Sequence, residues 1–192
     1  MDCVRFEEKI MLLDLIIYPH PVLKAIAEPV ETFDASLSEL IANMVETMHE
    51  GAGVGLAAPQ IGLSLQLFVV DTSLPEEPNA LRAYINPRII LQEEPIFWEE
   101  GCLSLPGLYR KVPTHQHVII EARDARGEWF REEARDLRAV AILHEFAHLQ
   151  GSLFIDRLNP VKRNLTKKFW AKNAAKLTEH TYRDTKLHCK MN

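Results

Sequence analysis

Hydrophobic residues recur at helical spacing between residues 34 and 50, which predicts an amphipathic helix. Ser36 and Glu39 fit a capping box at its start, and Gly51 is placed to end it. The apolar face carries Leu37, Leu40, Ile41, Met44, Val45 and Met48.

The same periodicity predicts a second helix from about Leu137 to Gln150, ended by Gly151. One face of this helix carries Leu137, Val140, Ala141, His144 and His148. A third helix, about 160–180, is predicted to begin at Asn159–Pro160, an N-cap residue followed by a first-turn proline. Its basic residues are Lys162, Arg163, Lys167, Lys168, Lys172 and Lys176. They form either a solvated face, which is the commoner case, or a docking site for an acidic partner such as ribosomal RNA.

Short runs rich in β-branched and aromatic residues predict strands, and they lie at 65–71, 81–87, 117–124 and 128–134. Asp124–Gly127 predicts a hairpin turn between the last two runs. These strands indicate an antiparallel or mixed sheet. A chain of 192 residues that is 47% hydrophobic is expected to form one domain, residues 1–192.

Composition narrows the function classes. The formal net charge of −5 argues against a general binder of nucleic acid or of a membrane surface. No apolar run approaches the length of about 18 residues that a membrane span requires. Cys3, Cys102 and Cys189 are too scattered for a secreted disulfide framework, so a reducing compartment fits better. We therefore expect a cytoplasmic protein, or an organellar one if a transit peptide has been removed.

Candidate chemistry begins with His144, Glu145 and His148 in LHEFAHLQG. On a helix the two histidines lie about 40° apart and the carboxylate lies beside them, so together they can hold a divalent ion next to a general base. The alternative is an ordinary amphipathic turn. A metal site also needs a further ligand from elsewhere in the chain.

Cys102, in EEGCLSLPG at 99–107, is a candidate for that ligand, because glycine and proline flank it and thiolates bind Zn²⁺ and Fe²⁺ strongly. Free cysteines are more often small buried apolar residues. One cysteine and two histidines would leave the fourth tetrahedral position open for water, which is typical of a catalytic zinc site.

A glycine-rich segment, EGAGVGLAAPQIG at 50–62, follows a helix rather than a strand, so a phosphate-binding loop is disfavoured. Glycines there would let the backbone approach an extended ligand closely. Gln60 could present its amide to a developing oxyanion.

Together, GVGLAAPQIG, EGCLSLPG and HEFAHLQG resemble the three ordered motifs of the peptide deformylases. The resemblance extends over LDLIIYPHPVLKAIAEPV at 13–30, INP at 85–87 and LFIDRL at 153–158, while residues 1–10 look like an N-terminal extension. It implies the compact α+β deformylase fold, in which the HExxH helix packs against β-sheets and the cysteine loop lies across the metal.

The resemblance also implies roles for individual residues. Cys102, His144 and His148 would hold one divalent ion, Fe²⁺ being expected and Zn²⁺, Ni²⁺ or Co²⁺ being accepted by the same ligands. Glu145 would be the general acid/base, and Gln60 with the Leu103 N–H would stabilise the oxyanion. The backbone of four further residues would pair with an N-formylmethionyl peptide substrate: Gly53, Val54, Gly55 and Gly101. Formate and a free N-terminal methionine would be the products.

Compared with that family pattern, Ala147 stands where most members have Asp, and Leu143 where they usually have Gln. Thr114 stands where an Arg is usual. We interpret the loss of the acid and of the base as linked, because losing one partner of a buried ion pair strands a charge at a cost of about 3–5 kcal/mol.

Two rival functions stay open at the level of sequence. One is a deformylase-like binding protein that recognises nascent chains or the ribosome through its basic helix. Glu145 and Gln60 argue against it, since binding alone requires neither. The other is an amidase or metallopeptidase of different acyl specificity, which the cysteine ligand disfavours.

Overall fold

A five-stranded antiparallel sheet lies at the centre of the structure, a computed structural model that describes residues 11–73 and 80–191. In chain order the strands are β1 Leu15–Ile16, β2 Gly55–Ala57, β3 Leu67–Val70, β4 Arg82–Glu100, β5 Arg110–Arg123, β6 Trp129–Arg135 and β7 Cys189–Lys190. The strand order in the central sheet is β2-β3-β4-β5-β6. The α-helices are α1 Ala35–Glu50, α2 Asp136–Leu149 and α3 Pro160–Tyr182. The predicted α+β class is confirmed. The predicted N-terminal extension and Cys3 lie outside the described residues.

The side chains of β3 alternate between two hydrophobic clusters, as the period of two of a strand requires. Leu67 and Val69 belong to the cluster that contains Met44 of α1. Phe68 and Val70 belong to the cluster that contains Ile142 of α2. The sheet is therefore covered on both faces, and α2 is held firmly against one of them.

The helix predictions are largely confirmed, with a correction at the start of α1. The N-cap is Asp34, whose carboxylate accepts hydrogen bonds from the Leu37 N–H at 3.1 Å and from the Ser36 hydroxyl at 2.6 Å. The predicted capping box of Ser36 and Glu39 is wrong, because Ser36 already lies in the first turn. At α3 the Asn159 side chain accepts from the Lys162 N–H, as the sequence predicts.

β4 and β5 are much longer than the sequence predicts. They pair from Ile85–Arg123 to Glu100–Arg110. The predicted strands at 81–87 and 117–124 are only the inner ends of this hairpin. Its outer part carries mostly exposed side chains on β4, without a regular alternation of apolar and polar residues, and it includes Pro95 and Pro113, so it lacks the pattern of a half-buried strand. The loop that joins the two long strands, residues 101–109, carries Cys102.

The two ends of the described chain meet in a small parallel sheet, in which Leu15 pairs with Cys189 and Ile16 with Lys190. Just after β1, the Tyr18 N–H donates to the Ser104 carbonyl at 3.0 Å. This segment therefore supports the cysteine loop from behind. No helix among residues 11–73 and 80–191 is long and apolar enough to cross a membrane.

Candidate metal centre

Cys102, His144 and His148 come together at one point between the cysteine loop and α2. One side-chain ligand atom from each lies within 4.8 Å of the other two. Cys102 Sγ is 3.3 Å from His148 Nε2, and the two imidazole rings, one helical turn apart, have centroids separated by 5.2 Å. These are the sulfur and nitrogen donors that Zn²⁺ and Fe²⁺ prefer, so the donor set fits a single divalent ion.

Glu100 fixes the orientation of His144. Its Oε2 accepts a hydrogen bond from His144 Nδ1 at 2.8 Å and also contacts the Arg157 guanidinium, which in turn donates to the Pro113 carbonyl at 3.0 Å. Burial raises the pKa of Glu100, but the His144 and Arg157 contacts outweigh burial and lower it. The ionised carboxylate therefore holds the Nδ1–H tautomer, which leaves Nε2 free to bind a metal.

The electrostatics of the two histidines suit a bound cation. Burial lowers the pKa of His144, but Cys102 and Glu100 outweigh it, so the pKa is raised and the point attracts positive charge. Burial and then the neighbouring positive groups, His144 first, lower the pKa of His148, which favours the neutral imidazole that metals require. Nδ1 of His148 is buried without a hydrogen-bond partner among the described residues.

Glu145 follows His144 on α2 and is almost fully buried. Burial raises its pKa to about 7; Glu100 adds to this rise and His144 opposes it. Its Oε2 has no hydrogen-bond partner within the described part of the chain. A Cβ on Gly55 would lie 2.4 Å from Glu145 Oε1, so only glycine leaves room for this carboxylate. A carboxyl group that titrates near neutral pH can both take and return a proton.

Gln60 and Leu103 flank the cluster. The Gln60 carbonyl oxygen accepts from the Ala57 N–H at 2.7 Å, so the side-chain amide is held with Nε2 3.4 Å from Cys102 Sγ. No group among the described residues accepts a hydrogen bond from the Leu103 N–H. Two N–H donors are thus available beside the metal ligands.

A cleft of about 250 Å³ opens onto this cluster. Gly53, Val54, Gly55 and Gly101 line it together with Gln60, Cys102, Leu103, His144 and Glu145. Part of the wall is apolar, formed by Val54, Trp98, Leu137, Val140 and Ala141. β2, which contributes Gly55, is an edge strand, so the backbone of an extended ligand can approach it. The structure therefore brings the predicted site residues to one place.

Sequence reasoning missed Glu100 and Arg157. Glu100 stands two residues before Cys102, in a stretch already singled out, so a carboxylate next to a ligand loop was the available signal. Nothing local marks Arg157, which meets Glu100 across 57 residues of chain. This pair places an acid and a base beneath the site. Arg157 also bonds the carbonyl of the residue before Thr114, where the family resemblance implies a missing arginine.

Two metal-ligating elements that meet beside a buried carboxylate form the kind of site found in metal-dependent hydrolases. The model of the polypeptide deformylase family matches residues 12–164. The chain belongs to this family. This match confirms the resemblance that the sequence motifs indicate. Peptide deformylases are metal-dependent hydrolases that remove N-formyl groups from nascent peptides.

Individual peptide deformylases are similar to this chain over most of its length. A peptide deformylase of Syntrophobacter fumaroxidans is 44% identical over 167 residues, covering 87% of this chain and 98% of the relative. The crystal structure of a peptide deformylase from Legionella pneumophila superposes with a TM-score of 0.79 at 39% identity, covering 86% of this chain and 96% of that one. The crystal structure of a Synechococcus elongatus peptide deformylase in complex with actinonin superposes with a TM-score of 0.77 at 37% identity, covering 83% of this chain and 88% of that one.

Proposed function

We propose that this chain removes the formyl group from the N-terminal formylmethionine of newly synthesised polypeptides, using one divalent ion held by Cys102, His144 and His148. The observation that carries the proposal is the meeting of these three ligands with Glu145 at the bottom of a partly apolar cleft. A bound ion would supply the Lewis acidity that activates water and polarises the formyl carbonyl.

Glu145 is the proton carrier of this proposal. Its carboxylate takes a proton from the attacking water and returns it to the amine nitrogen that leaves, so that formate and a free amino group result. The pKa near 7 supports both halves of this cycle, because the group exchanges a proton readily at neutral pH.

Gln60 Nε2 and the Leu103 N–H stabilise the negative charge that develops on the formyl oxygen. The support is positional: the Gln60 amide is fixed through Ala57, and the Leu103 N–H has no competing acceptor among the described residues. Donors held in place before reaction need no reorganisation as charge develops, which is the source of their effect.

The peptide lies extended along the edge of β2. Gly53 and Gly55 present backbone without side chains, and Gly101 keeps the opposite rim open; a Cβ there would lie 2.6 Å from the Tyr109 ring. The apolar wall that includes Val54, Trp98 and Leu137 suits the methionine side chain. Main-chain pairing makes binding tolerant of sequence beyond the first residue.

Fe²⁺ is the native ion in this proposal, and the cytoplasm is the compartment. Contact with the ribosome would use α3, where Lys162, Lys168 and Lys172 are exposed beside exposed Leu165 and Phe169. A basic surface of this kind attracts RNA phosphates through a salt-dependent interaction.

The decisive experiment measures formate release from formyl-Met-Ala by protein loaded anaerobically with Fe²⁺. Wild type should turn over. Glu145→Ala should bind the ion yet lose at least about 10²-fold in kcat. Glu46→Ala, which removes an exposed carboxylate from α1, is the matched control and should behave as wild type. No turnover by the metal-loaded wild type would contradict the proposal. Cleavage of acetyl-Met-Ala instead would favour the amidase of different acyl specificity.

A further inference from the structure

Leu103 is anchored by a hydrogen bond from the far end of the chain. The Tyr182 hydroxyl donates to the Leu103 carbonyl at 2.8 Å, across 79 residues of sequence. Neighbouring residues of the cysteine loop have other supports: Tyr18 N–H donates to the Ser104 carbonyl, and Leu105 N–H to the Cys102 carbonyl. Within the described chain, the Tyr182 hydroxyl is the polar group that holds the backbone of Leu103 itself.

The surroundings of Tyr182 restrict its movement. It is the last residue of α3, is 7% exposed, and forms part of the cleft wall. The chain that follows is also fixed, since the Lys186 N–H donates to Glu50 Oε1 at 2.8 Å and β7 pairs with β1. A phenol has few rotatable bonds, so its hydroxyl loses little freedom when it makes this contact.

An anchor at the Leu103 carbonyl restrains the Leu103 N–H, because two backbone dihedrals alone separate the two groups. Rotation of this residue would change the direction of its N–H and so weaken the support of the oxyanion that the proposed function assigns to it. The family match ends at residue 164, so the match itself does not extend to Tyr182.

We propose that Tyr182 is a positioning residue that fixes the Leu103 backbone with its N–H directed at the oxyanion site. This inference rests on the proposed function for its kinetic consequence. It also makes a structural claim that stands without turnover: the Leu103 amide is ordered by the C-terminal end of α3.

The test is Tyr182→Phe, which removes the hydroxyl and keeps the ring. For the Fe²⁺-loaded enzyme, kcat for formyl-Met-Ala should fall about tenfold with KM within about twofold, the pattern of an interaction that acts on the transition state. In the Zn²⁺-loaded protein, hydrogen exchange of the Leu103 amide, followed by NMR, should become at least about fivefold faster.

The matched control is Thr178→Val, which removes a buried hydroxyl one turn earlier on the same helix. It should leave kcat and the Leu103 exchange unchanged. Unaltered kcat in Tyr182→Phe would overturn the inference, and so would an equal loss in Thr178→Val or faster exchange spread evenly over α3. If the metal-loaded wild type lacks deformylase activity, the proposed function fails. Exchange at Leu103 then decides the anchoring claim alone, because an unchanged rate contradicts it.

Discussion

Removing the Arg157 guanidinium should expose the cost of burying Glu100. Glu100 is 5% exposed, and its Oε2 is shared between His144 Nδ1 and Arg157. Breaking a fully buried ion pair costs about 3–5 kcal/mol, because the remaining charge stays in a medium of low polarity. The Arg157 side chain is 24% exposed, so water can partly replace it. For Arg157→Met we therefore expect a loss of about 2–3 kcal/mol in the free energy of unfolding.

Glu100→Gln tests the same pair from the other side. The amide keeps an acceptor for His144 and lacks the charge, so the double variant Glu100→Gln/Arg157→Met should cost at least about 1 kcal/mol less than the sum of the single variants. Zn²⁺ affinity of Glu100→Gln should fall about 10- to 100-fold, since a carboxylate partner raises the basicity of a ligand histidine.

Urea denaturation of the chelator-treated protein at neutral pH measures these costs without a contribution from metal binding. Arg135→Met is the matched control, because Arg135 pairs with Glu94 on the surface and both side chains are about half exposed. It should cost less than about 1 kcal/mol. The reasoning is refuted if Arg157→Met costs no more than the control, or if the Glu100 and Arg157 variants are simply additive.

Three further changes have expected outcomes. Gly55→Ala should lower formate release about 100-fold, because the added methyl group would sit 2.4 Å from Glu145 Oε1 and displace that carboxylate. Asp156→Asn should lower stability at pH 7 by about 1–2 kcal/mol, since burial raises the Asp156 pKa but the Lys24 contact outweighs it and the pKa is lowered. A lowered pKa contributes stability that is fully present above the unfolded-state pKa and is lost as pH falls through the folded-state pKa, so in urea titrations this difference should shrink as pH falls below about 4. Ala147→Asp should lower the melting temperature, because it adds an unpaired, half-buried charge to the negative end of α2.

Each of these expectations has a control or a contrary outcome. Gly127→Ala replaces a glycine with φ of 82° in the β5–β6 turn, so it should cost stability and leave formate release unchanged. If Gly55→Ala retains wild-type activity, Glu145 does not act as the proton carrier in its present position. An Asp156→Asn deficit that stays the same as pH is lowered from 7 through the acidic range would rule out the ionic contribution. Adding Thr114→Arg to Ala147→Asp should restore stability if the two positions are linked; an unchanged or higher melting temperature for Ala147→Asp alone would contradict the linkage.

The helices and the candidate metal ligands could be predicted because their sequence signals are local. Asn159–Pro160 sets the start of α3 within a few residues, and His144 and His148 share a face of α2 through helical geometry alone. Cys102 was identified by its chemistry and by the motif around it. The family resemblance then supplied the relative placement that periodicity cannot give.

The outer part of the β4–β5 hairpin could not be predicted in the same way. Between Arg88 and Glu99 most side chains are exposed, so burial imposes no alternation on the sequence. The strands exist there because their backbones pair with each other over many residues, and backbone hydrogen bonds do not depend on side-chain identity.

Contacts between distant parts of the chain are the other class that sequence could not reveal. Glu100 with Arg157 and Leu103 with Tyr182 are separated by 57 and 79 residues. Each partner is an ordinary residue in its own neighbourhood, and nothing in the local sequence marks the contact. Only the folded arrangement brings each pair together, one pair beside His144 and the other at the backbone of the proposed oxyanion donor.

The pairing of β1 with β7 also affects the order in which the protein folds during synthesis. Domains emerge from the ribosome N-terminal end first, so Leu15 and Ile16 wait for Cys189 and Lys190 before their parallel ladder can form. Tyr18, which follows β1, supports the Ser104 carbonyl in the cysteine loop. Removal of Cys189 and Lys190 would therefore take away the partner of β1 and loosen the cysteine loop, although these residues lie far from that loop in sequence.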